Sequence, residues 1–153
     1  MDNQIIAERL KQYHCNTLED EENALKEILQ ELALYALSTT DFFSHALFHG
    51  GTSLRVLYNL PRFSEDLDFM LKEPNPQFHW EGYIEKIKQV FKLYDISPEI
   101  KDRSKSTRAV KKMFLKDNSI GKVLSLNFHH HSQRKLLIKL EIDTNPPLGS
   151  VSY

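Results

Sequence analysis

Two aspartates separated by a single residue are the clearest candidates for chemistry in this sequence. Asp66 and Asp68 lie in the run Asp-Leu-Asp-Phe-Met-Leu, whose alternation predicts a β-strand with both carboxylates on one face. Two strand steps place their Cα atoms roughly 7 Å apart. Two carboxylates ~4 Å apart repel each other by about 4 kcal/mol at an effective dielectric constant near 20. A divalent cation such as Mg²⁺, which prefers oxygen ligands, would relieve that repulsion.

A glycine-rich segment, residues 50–53, precedes the aspartates with the sequence Gly-Gly-Thr-Ser. Glycine permits positive φ angles and a close approach of the backbone to a ligand. We predict a short helix over residues 52–59, and the N–H groups of its first turn would favour an anion such as a phosphate. A phosphate cradle followed by a metal-binding strand predicts a site for a nucleoside triphosphate with its Mg²⁺.

The combined pattern resembles the nucleotidyltransferase signature of the AbiEii/AbiGii toxin family, within the DNA-polymerase-β-like superfamily. The resemblance is carried by Gly-Gly-Thr-Ser-Leu-Arg at residues 50–55 and Arg-x-Ser-x-Asp-Leu-Asp-Phe at residues 62–69, with a weaker extension through residues 139–147. It implies an α+β fold, in which a small mixed β-sheet flanked by helices forms a polymerase-β-type nucleotidyltransferase core. It also implies a metal-dependent enzyme that transfers a nucleoside monophosphate from an NTP to an acceptor hydroxyl, and a role as a toxin with a separately encoded antitoxin.

The resemblance further implies which residues form the site. Enzymes of the superfamily use three carboxylates, and Asp66 and Asp68 would be two of them. Glu141 is the expected third, and Asp143, on the same face of an alternating strand, is the reserve; the choice between them stays open. Together these side chains would hold two Mg²⁺ ions about 3.5–4 Å apart. The expected contacts to the nucleotide phosphates are Gly50, Gly51, Thr52, Ser53, Arg55, Arg62, Ser64 and Lys139.

Several of these residues have simpler interpretations. Lys139, Glu141 and Asp143 would also fit an exposed strand face whose charges compensate one another, and Lys139 would then pair with its neighbours rather than with a phosphate. Arg55 is equally compatible with a salt bridge to a carboxylate.

Two basic segments and a histidine triplet complete the candidates. We expect residues 101–105 and Lys111-Lys112 to be solvated, with contact to an RNA backbone as the alternative. Residues 129–131 are three consecutive histidines, and because neighbours on a strand face opposite ways, they are not expected to bind one metal ion.

Periodicity defines the elements that would position these residues. We predict one domain over residues 1–153, with N-terminal helices within about 2–38 and a catalytic core over about 41–147. The clearest helix, residues 18–38, follows the capping pattern Thr17-x-x-Asp20. The core would contain strands at residues 66–71, 96–101, 109–115, 122–129 and 135–143, a short strand within 41–49 and a helix at 79–94. The C-terminal helical region of the family has no counterpart before Tyr153.

Bulk properties limit the class of protein. With 41% hydrophobic and 27% charged residues, the 153-residue chain is typical of a globular domain, but its net charge of −1 gives no independent support for an RNA acceptor. A single cysteine, Cys15, suits a reducing compartment. No stretch approaches the ~20 apolar residues of a membrane span, and the N-terminus lacks the features of a secretory signal. We therefore expect a cytoplasmic protein without membrane association.

Two functions remain open from the sequence. The first is the nucleotidyltransferase toxin, acting on tRNA or another RNA. The second is a non-catalytic, truncated remnant that binds a nucleotide or a partner. Retention of both aspartates favours the first, and the missing C-terminal region of the family favours the second.

Overall fold

The structure, a computed structural model, describes residues 4–49, 66–120 and 135–146. Its helices are α1 (Gln4–Lys11), α2 (Leu18–Ser38), α3 (Phe42–His45) and α4 (Glu81–Lys92). Its strands are β1 (Ala46–His49), β2 (Asp66–Leu71), β3 (Glu99–Asp102), β4 (Val110–Asp117) and β5 (Leu136–Asp143). This is an α+β architecture, as the resemblance implied.

The strands form one mixed sheet in the order β1-β2-β5-β4-β3. β2 and β5 are parallel, whereas the other neighbouring pairs are antiparallel. β5 lies at the centre of the sheet, where both of its edges are hydrogen-bonded. The last strand of the described chain is therefore inserted between two strands that precede it in the sequence.

The two faces of the sheet differ because strand side chains alternate in direction. On one face, β2, β4 and β5 bury apolar side chains that share a core with α2 and α4. That core face carries Leu67, Phe69, Leu71, Met113, Leu115, Leu136, Ile138, Leu140 and Ile142. The other face, called the open face below, carries most of the polar residues of the same strands, including the aspartates that the sequence singled out.

Helix α2 begins where its capping pattern predicts. The hydroxyl of Thr17 accepts a hydrogen bond from the Asp20 N–H at 3.0 Å, and the Asp20 carboxylate accepts one from the Asn16 N–H at 3.1 Å. The first bond satisfies a backbone donor that the first helical turn leaves unpaired, and the second ties the chain before the cap to the helix. The apolar stripe of α2 then packs on the sheet, with Leu25, Leu29 and Leu37 fully buried.

An aromatic cluster lies behind β2 on the core face. Phe42 contacts Phe69 edge to face at 5.0 Å between ring centroids and stacks on Trp80 at 5.7 Å. The indole N–H of Trp80 donates to the Lys111 carbonyl at 3.2 Å, so the ring is anchored to β4 as well. The cluster links α3, β2, β4 and the start of α4 on the side opposite the aspartates.

The predicted elements that fall on described residues are confirmed, with shifted ends. The helix expected at residues 79–94 spans Glu81–Lys92, the strand expected at 96–101 spans Glu99–Asp102, and the strand expected at 109–115 continues to Asp117. Residues 41–49 contain a helical turn before their strand. The predicted elements at residues 52–59 and 122–129 lie outside the described residues, as does the histidine triplet.

The expectation that Lys111 is solvated is wrong. Lys111 is only 7% exposed, and its ammonium donates a hydrogen bond to the Lys105 carbonyl at 2.6 Å. Because neighbours on a strand face opposite ways, Lys111 and Lys112 could not both face solvent on a half-buried strand. Lys112 is the one on the open face.

Within the described residues, none of the helices combines the length and the hydropathy that crossing a bilayer requires.

Candidate active site

The parallel pairing of β2 with β5 brings the candidate residues together. In this register Asp68 pairs with Glu141, and Asp66 pairs with Lys139. Paired residues on adjacent strands lie about 4.8 Å apart and point to the same face. The structure therefore places Glu141 beside the two aspartates on the open face, which is the arrangement that a three-carboxylate site requires.

Asp143 shares this face but lies farther along β5. It pairs with Met70, beyond the aspartates, and its carboxylate accepts a hydrogen bond from the Asn145 N–H at 2.9 Å. Its local role is thus to fix the turn at the end of the strand. The register favours Glu141 over Asp143 as the neighbour of the aspartate pair.

Lys139 connects two of the carboxylates. Its ammonium lies 3.4 Å from Asp66 Oδ2 and 3.0 Å from Glu141 Oε1. Hydrogen bonding to Glu141 and the charge of Asp66 raise the pKa of Lys139 above its ordinary value, although partial burial acts in the opposite direction. Lys139 therefore stays protonated and pairs with its neighbours, as the simpler interpretation of the sequence expected.

A second lysine reaches Glu141 from the other neighbouring strand. Lys112 pairs with Glu141 in the antiparallel register of β4 and β5, and its ammonium lies 3.6 Å from Glu141 Oε1. No role at this site was predicted for Lys112 from the sequence. The sequence shows two adjacent lysines on a predicted strand, but only the strand register identifies Glu141 as the partner of Lys112.

The donor set suits a hard divalent cation, since two aspartates and a glutamate supply only oxygen ligands. As placed, Asp66 and Glu141 are paired with lysines, and among the described residues no three His, Cys, Asp or Glu side chains converge as a metal site. A cation bound to these carboxylates would have to displace Lys139 from its position between Asp66 and Glu141. The residue types fit Mg²⁺, while the positions of the side chains are those of an ion-paired site.

The opposite edge of β2 leads toward the glycine-rich segment. His49, the last residue of β1, pairs with Asp68 in the antiparallel register, and Gly50 is the next residue in the chain. The predicted phosphate contacts Gly50, Gly51, Thr52, Ser53, Arg55, Arg62 and Ser64 lie outside the described residues.

Known proteins share both sequence and fold with this chain. Residues 32–153 match the model of a family described as nucleotidyl transferase AbiEii toxin, type IV TA system. The chain belongs to the AbiEii nucleotidyltransferase family. The matched region of this AbiEii-family chain includes every strand of the sheet and therefore all the open-face carboxylates. The resemblance inferred from the sequence is confirmed.

Two solved structures share the AbiEii-family fold of the chain. One is a candidate nucleotidyltransferase from H. pylori, with a TM-score of 0.53 and 21% sequence identity over 84% of this chain and 48% of its own. The other is JHP933 from Helicobacter pylori, with a TM-score of 0.55 and 21% identity over 87% of this chain and 49% of its own. The chain thus spans about half the length of these two proteins. None of the proteins with curated descriptions matches the sequence significantly.

Proposed function

We propose that the chain is a metal-dependent nucleotidyltransferase that transfers a nucleoside monophosphate from an NTP to a hydroxyl of an RNA acceptor such as tRNA. The observation that carries this proposal is the parallel register of β2 and β5. It sets Glu141 beside Asp68, which lies two residues along β2 from Asp66. Membership of a toxin family supports a role in a toxin–antitoxin system, with the antitoxin as a protein partner.

In the proposed reaction, the acceptor oxygen forms a bond to the α-phosphorus and the bond to the bridging oxygen breaks, so that pyrophosphate leaves. Asp66, Asp68 and Glu141 would hold Mg²⁺, with Asp143 in reserve at the end of β5. The chemistry that the metal supplies when bound is a lower pKa for the attacking hydroxyl and stabilisation of the departing pyrophosphate.

Other residues near the carboxylates would supply positive charge and backbone N–H groups to the nucleotide phosphates. Lys139 balances two carboxylates, and its side chain is 26% exposed, so the ammonium can reorient toward a phosphate. The segment Gly50–Ser53, which continues directly from β1, is the proposed cradle for the triphosphate. Catalysis of this kind depends mostly on positioning and charge stabilisation.

Label transfer tests the proposal. The chain is incubated with radiolabelled NTPs, Mg²⁺ and total tRNA, beside the double variant Asp66→Asn/Asp68→Asn. A matched control, Glu85→Gln, removes one carboxylate from the exposed side of α4. We expect label in RNA with the wild type and with Glu85→Gln, and none with the double variant. Equal incorporation by the wild type and the double variant, or none by either, contradicts the proposal.

The ion-paired state of the carboxylates supports a second candidate, a module that binds a nucleotide without transferring it. Such a module would bind the nucleotide but would transfer no label to RNA. Nucleotide affinity that is unchanged by addition of Mg²⁺, together with absent transfer, would favour this alternative.

A further inference from the structure

A pocket of about 520 Å³ opens beside Glu141 at the β3–β4 side of the open face. Its charged lining residues are Arg103, Lys105, Arg108, Lys112 and Glu141. Four cations therefore surround one carboxylate, although the chain as a whole carries a net charge of −1. We call residues 103–109, which connect β3 to β4, the basic loop.

The charges of the basic loop are uncompensated within the part of the chain that the structure describes. There, no carboxylate forms an ion pair with Arg103, Lys105 or Arg108, whereas Lys101 and Lys135 each pair with Glu99 and Lys139 pairs with two carboxylates. Glu141, the acidic residue of the pocket, is already neutralised by Lys139 and Lys112. The pocket thus presents net positive charge to any ligand that enters it.

The backbone of the basic loop is held in place by neighbouring elements. The buried ammonium of Lys111 donates to the Lys105 carbonyl at 2.6 Å, and the Arg108 N–H donates to the same carbonyl at 3.0 Å. At the end of the loop, the Ala109 carbonyl accepts hydrogen bonds from the N–H and the hydroxyl of Thr144. Lys111 and Thr144 thus hold the main chain of the loop at both Lys105 and Ala109.

The start of the loop is fixed in the same manner. The Arg103 N–H donates to the Lys112 carbonyl at 2.9 Å, and the Ser104 N–H donates to Asp102 Oδ1 at 2.8 Å. None of these bonds uses the charged ends of Arg103, Lys105 or Arg108. The three cationic side chains therefore remain available while the main chain beneath them is fixed.

We propose that the basic loop and Lys112 form the binding groove for the phosphodiester backbone of the acceptor RNA, which it holds so that the acceptor hydroxyl lies beside Glu141. This inference rests on the proposed function, since only a group-transfer site needs an acceptor next to that carboxylate. Arginine guanidinium groups bind phosphate oxygens through paired hydrogen bonds, and lysines add point charge.

The topology separates this groove from the proposed triphosphate cradle. Gly50 follows β1 at one edge of the sheet, and the basic loop belongs to the β3–β4 edge, with β2 and β5 between them. The carboxylates thus lie between the basic loop on one side and, on the other, the edge strand β1, after which the predicted cradle follows in the sequence. A donor nucleotide and an acceptor strand would approach them from opposite sides, as a transfer reaction requires. An acidic protein would not need the neighbouring carboxylate, so RNA is the favoured ligand.

The test measures RNA binding rather than turnover. The variant Arg103→Gln/Lys105→Gln/Arg108→Gln keeps the main-chain bonds of the loop, and circular dichroism checks its fold. Its matched control, Lys11→Gln/Lys88→Gln/Lys92→Gln, removes three exposed cations from α1 and α4 on the helical side of the sheet. Affinity for a short fluorescent single-stranded RNA of mixed sequence is measured by anisotropy at several salt concentrations.

We expect the loop variant to bind RNA at least about tenfold more weakly than the wild type, while the control variant binds as the wild type does. The slope of log affinity against log salt concentration should decrease in magnitude by about 2, because three phosphate contacts are lost. Affinity for a fluorescent NTP should be unchanged. Equal RNA affinity in the loop and control variants, or absence of RNA binding by the wild type at low salt, overturns the inference.

Two further outcomes would assign the groove to a ligand other than RNA, and each would also overturn the inference. Loss of NTP binding with RNA binding retained would assign it to the donor nucleotide. Polyglutamate that binds as tightly as RNA of equal charge, and weakens equally in the loop variant, would assign it to an acidic protein partner. Because binding is measured without turnover, the two failures are distinguishable: RNA affinity that depends on the loop in a chain that transfers no label refutes the proposed function, and with it the acceptor role of the RNA, but leaves the RNA-binding groove itself standing.

Discussion

Lys139 forms ion pairs with two of the open-face carboxylates and so competes with any metal ion for them. Its ammonium contacts both Asp66 of β2 and Glu141 of β5, so a lysine of β5 offsets part of the negative charge that these carboxylates place on the open face. A bound metal ion would take over that role. The lysine and the cation are thus alternative partners for one set of oxygens.

Replacement of Lys139 by methionine should strengthen metal binding. Methionine keeps the length of the side chain and removes the ammonium that competes for Asp66 and Glu141. We expect the affinity for Mn²⁺, measured by isothermal titration calorimetry without nucleotide, to increase about fivefold, which corresponds to one partly exposed ion pair of about 1 kcal/mol. Lys112→Met should produce a smaller increase, because among the described carboxylates that ammonium pairs with Glu141 alone, at the longer distance of 3.6 Å. A decrease in affinity for Lys139→Met would contradict competition.

The two candidates for the third carboxylate predict different losses of activity. Glu141→Gln removes the charge beside Asp68, and we expect the rate of label transfer to decrease at least about a hundredfold, as for other groups that stabilise charge in a transition state. Asp143→Asn should decrease it less than about tenfold. Single-turnover incorporation of label measures both rates. If Asp143→Asn has the larger effect, the assignment from the register is wrong.

Secondary-structure elements with a strong period were predictable, and their mutual placement was not. α2 and β5 follow from long apolar stripes and alternation, and the Thr17 cap follows from its pattern. The segment 41–49 was assigned only partly, because a four-residue helical turn has no measurable period. The pairing of Asp68 with Glu141 joins residues far apart in the sequence; the family resemblance indicated it, but composition and periodicity alone do not.

The position of the basic loop could not be predicted from the local sequence. Arg103 and Lys105 were recognised as basic and expected to be solvated, with RNA contact as the alternative, whereas Arg108 was not singled out. Whether they share a pocket with Glu141 depends on the antiparallel register of β4 with β5, and on the buried Lys111 that holds the loop. Both are tertiary features that no short stretch of sequence encodes.

The contact between α3 and α4 predicts a pH dependence of stability. The Tyr83 hydroxyl of α4 donates to Asp41 Oδ1, just before α3, at 2.9 Å. Partial burial, together with the hydrogen bond to Asp41 and its charge, raises the pKa of Tyr83 to about 12. The folded chain therefore retains a proton that the unfolded chain gives up near pH 10, and stability should fall as the pH rises from about 10 to about 12.

Alkaline difference spectroscopy and urea unfolding at each pH measure this effect. Tyr83→Phe should remove the absorbance step near pH 12 and flatten that part of the stability profile. Asp41→Asn should move the step toward lower pH without restoring the ordinary value of about 10, because burial is the larger cause. A step that remains near pH 12 in Tyr83→Phe would refute the assignment.

At the scale of the whole molecule, the open face depends on the aromatic cluster behind it. Phe42 contacts Phe69 of β2, which lies next to Asp68 in the chain but on the opposite face, and it stacks on Trp80. The same strand thus carries a metal-ligand candidate on one side and a tightly packed ring on the other. Packing behind β2 should fix the position of the carboxylates in front of it.

Truncation of Phe42 should destabilise the entire chain. The ring is 1% exposed, and removal of a buried phenylalanine typically costs about 3–5 kcal/mol, out of the 5–15 kcal/mol that stabilise a domain. We expect Phe42→Ala to lower the free energy of unfolding in urea by that amount, and Phe42→Leu by less than half of it. A loss below about 1 kcal/mol for Phe42→Ala would show that the cluster contributes little.

The central position of β5 has a consequence for how the protein is made. β2 and β5 are parallel neighbours, but everything from Lys72 to Lys135 lies between them in the chain. Pairings between such distant segments raise the contact order and slow folding. On the ribosome, β2 is synthesised long before its partner, so the nascent chain has no assembled acidic centre until β5 has emerged from the exit tunnel.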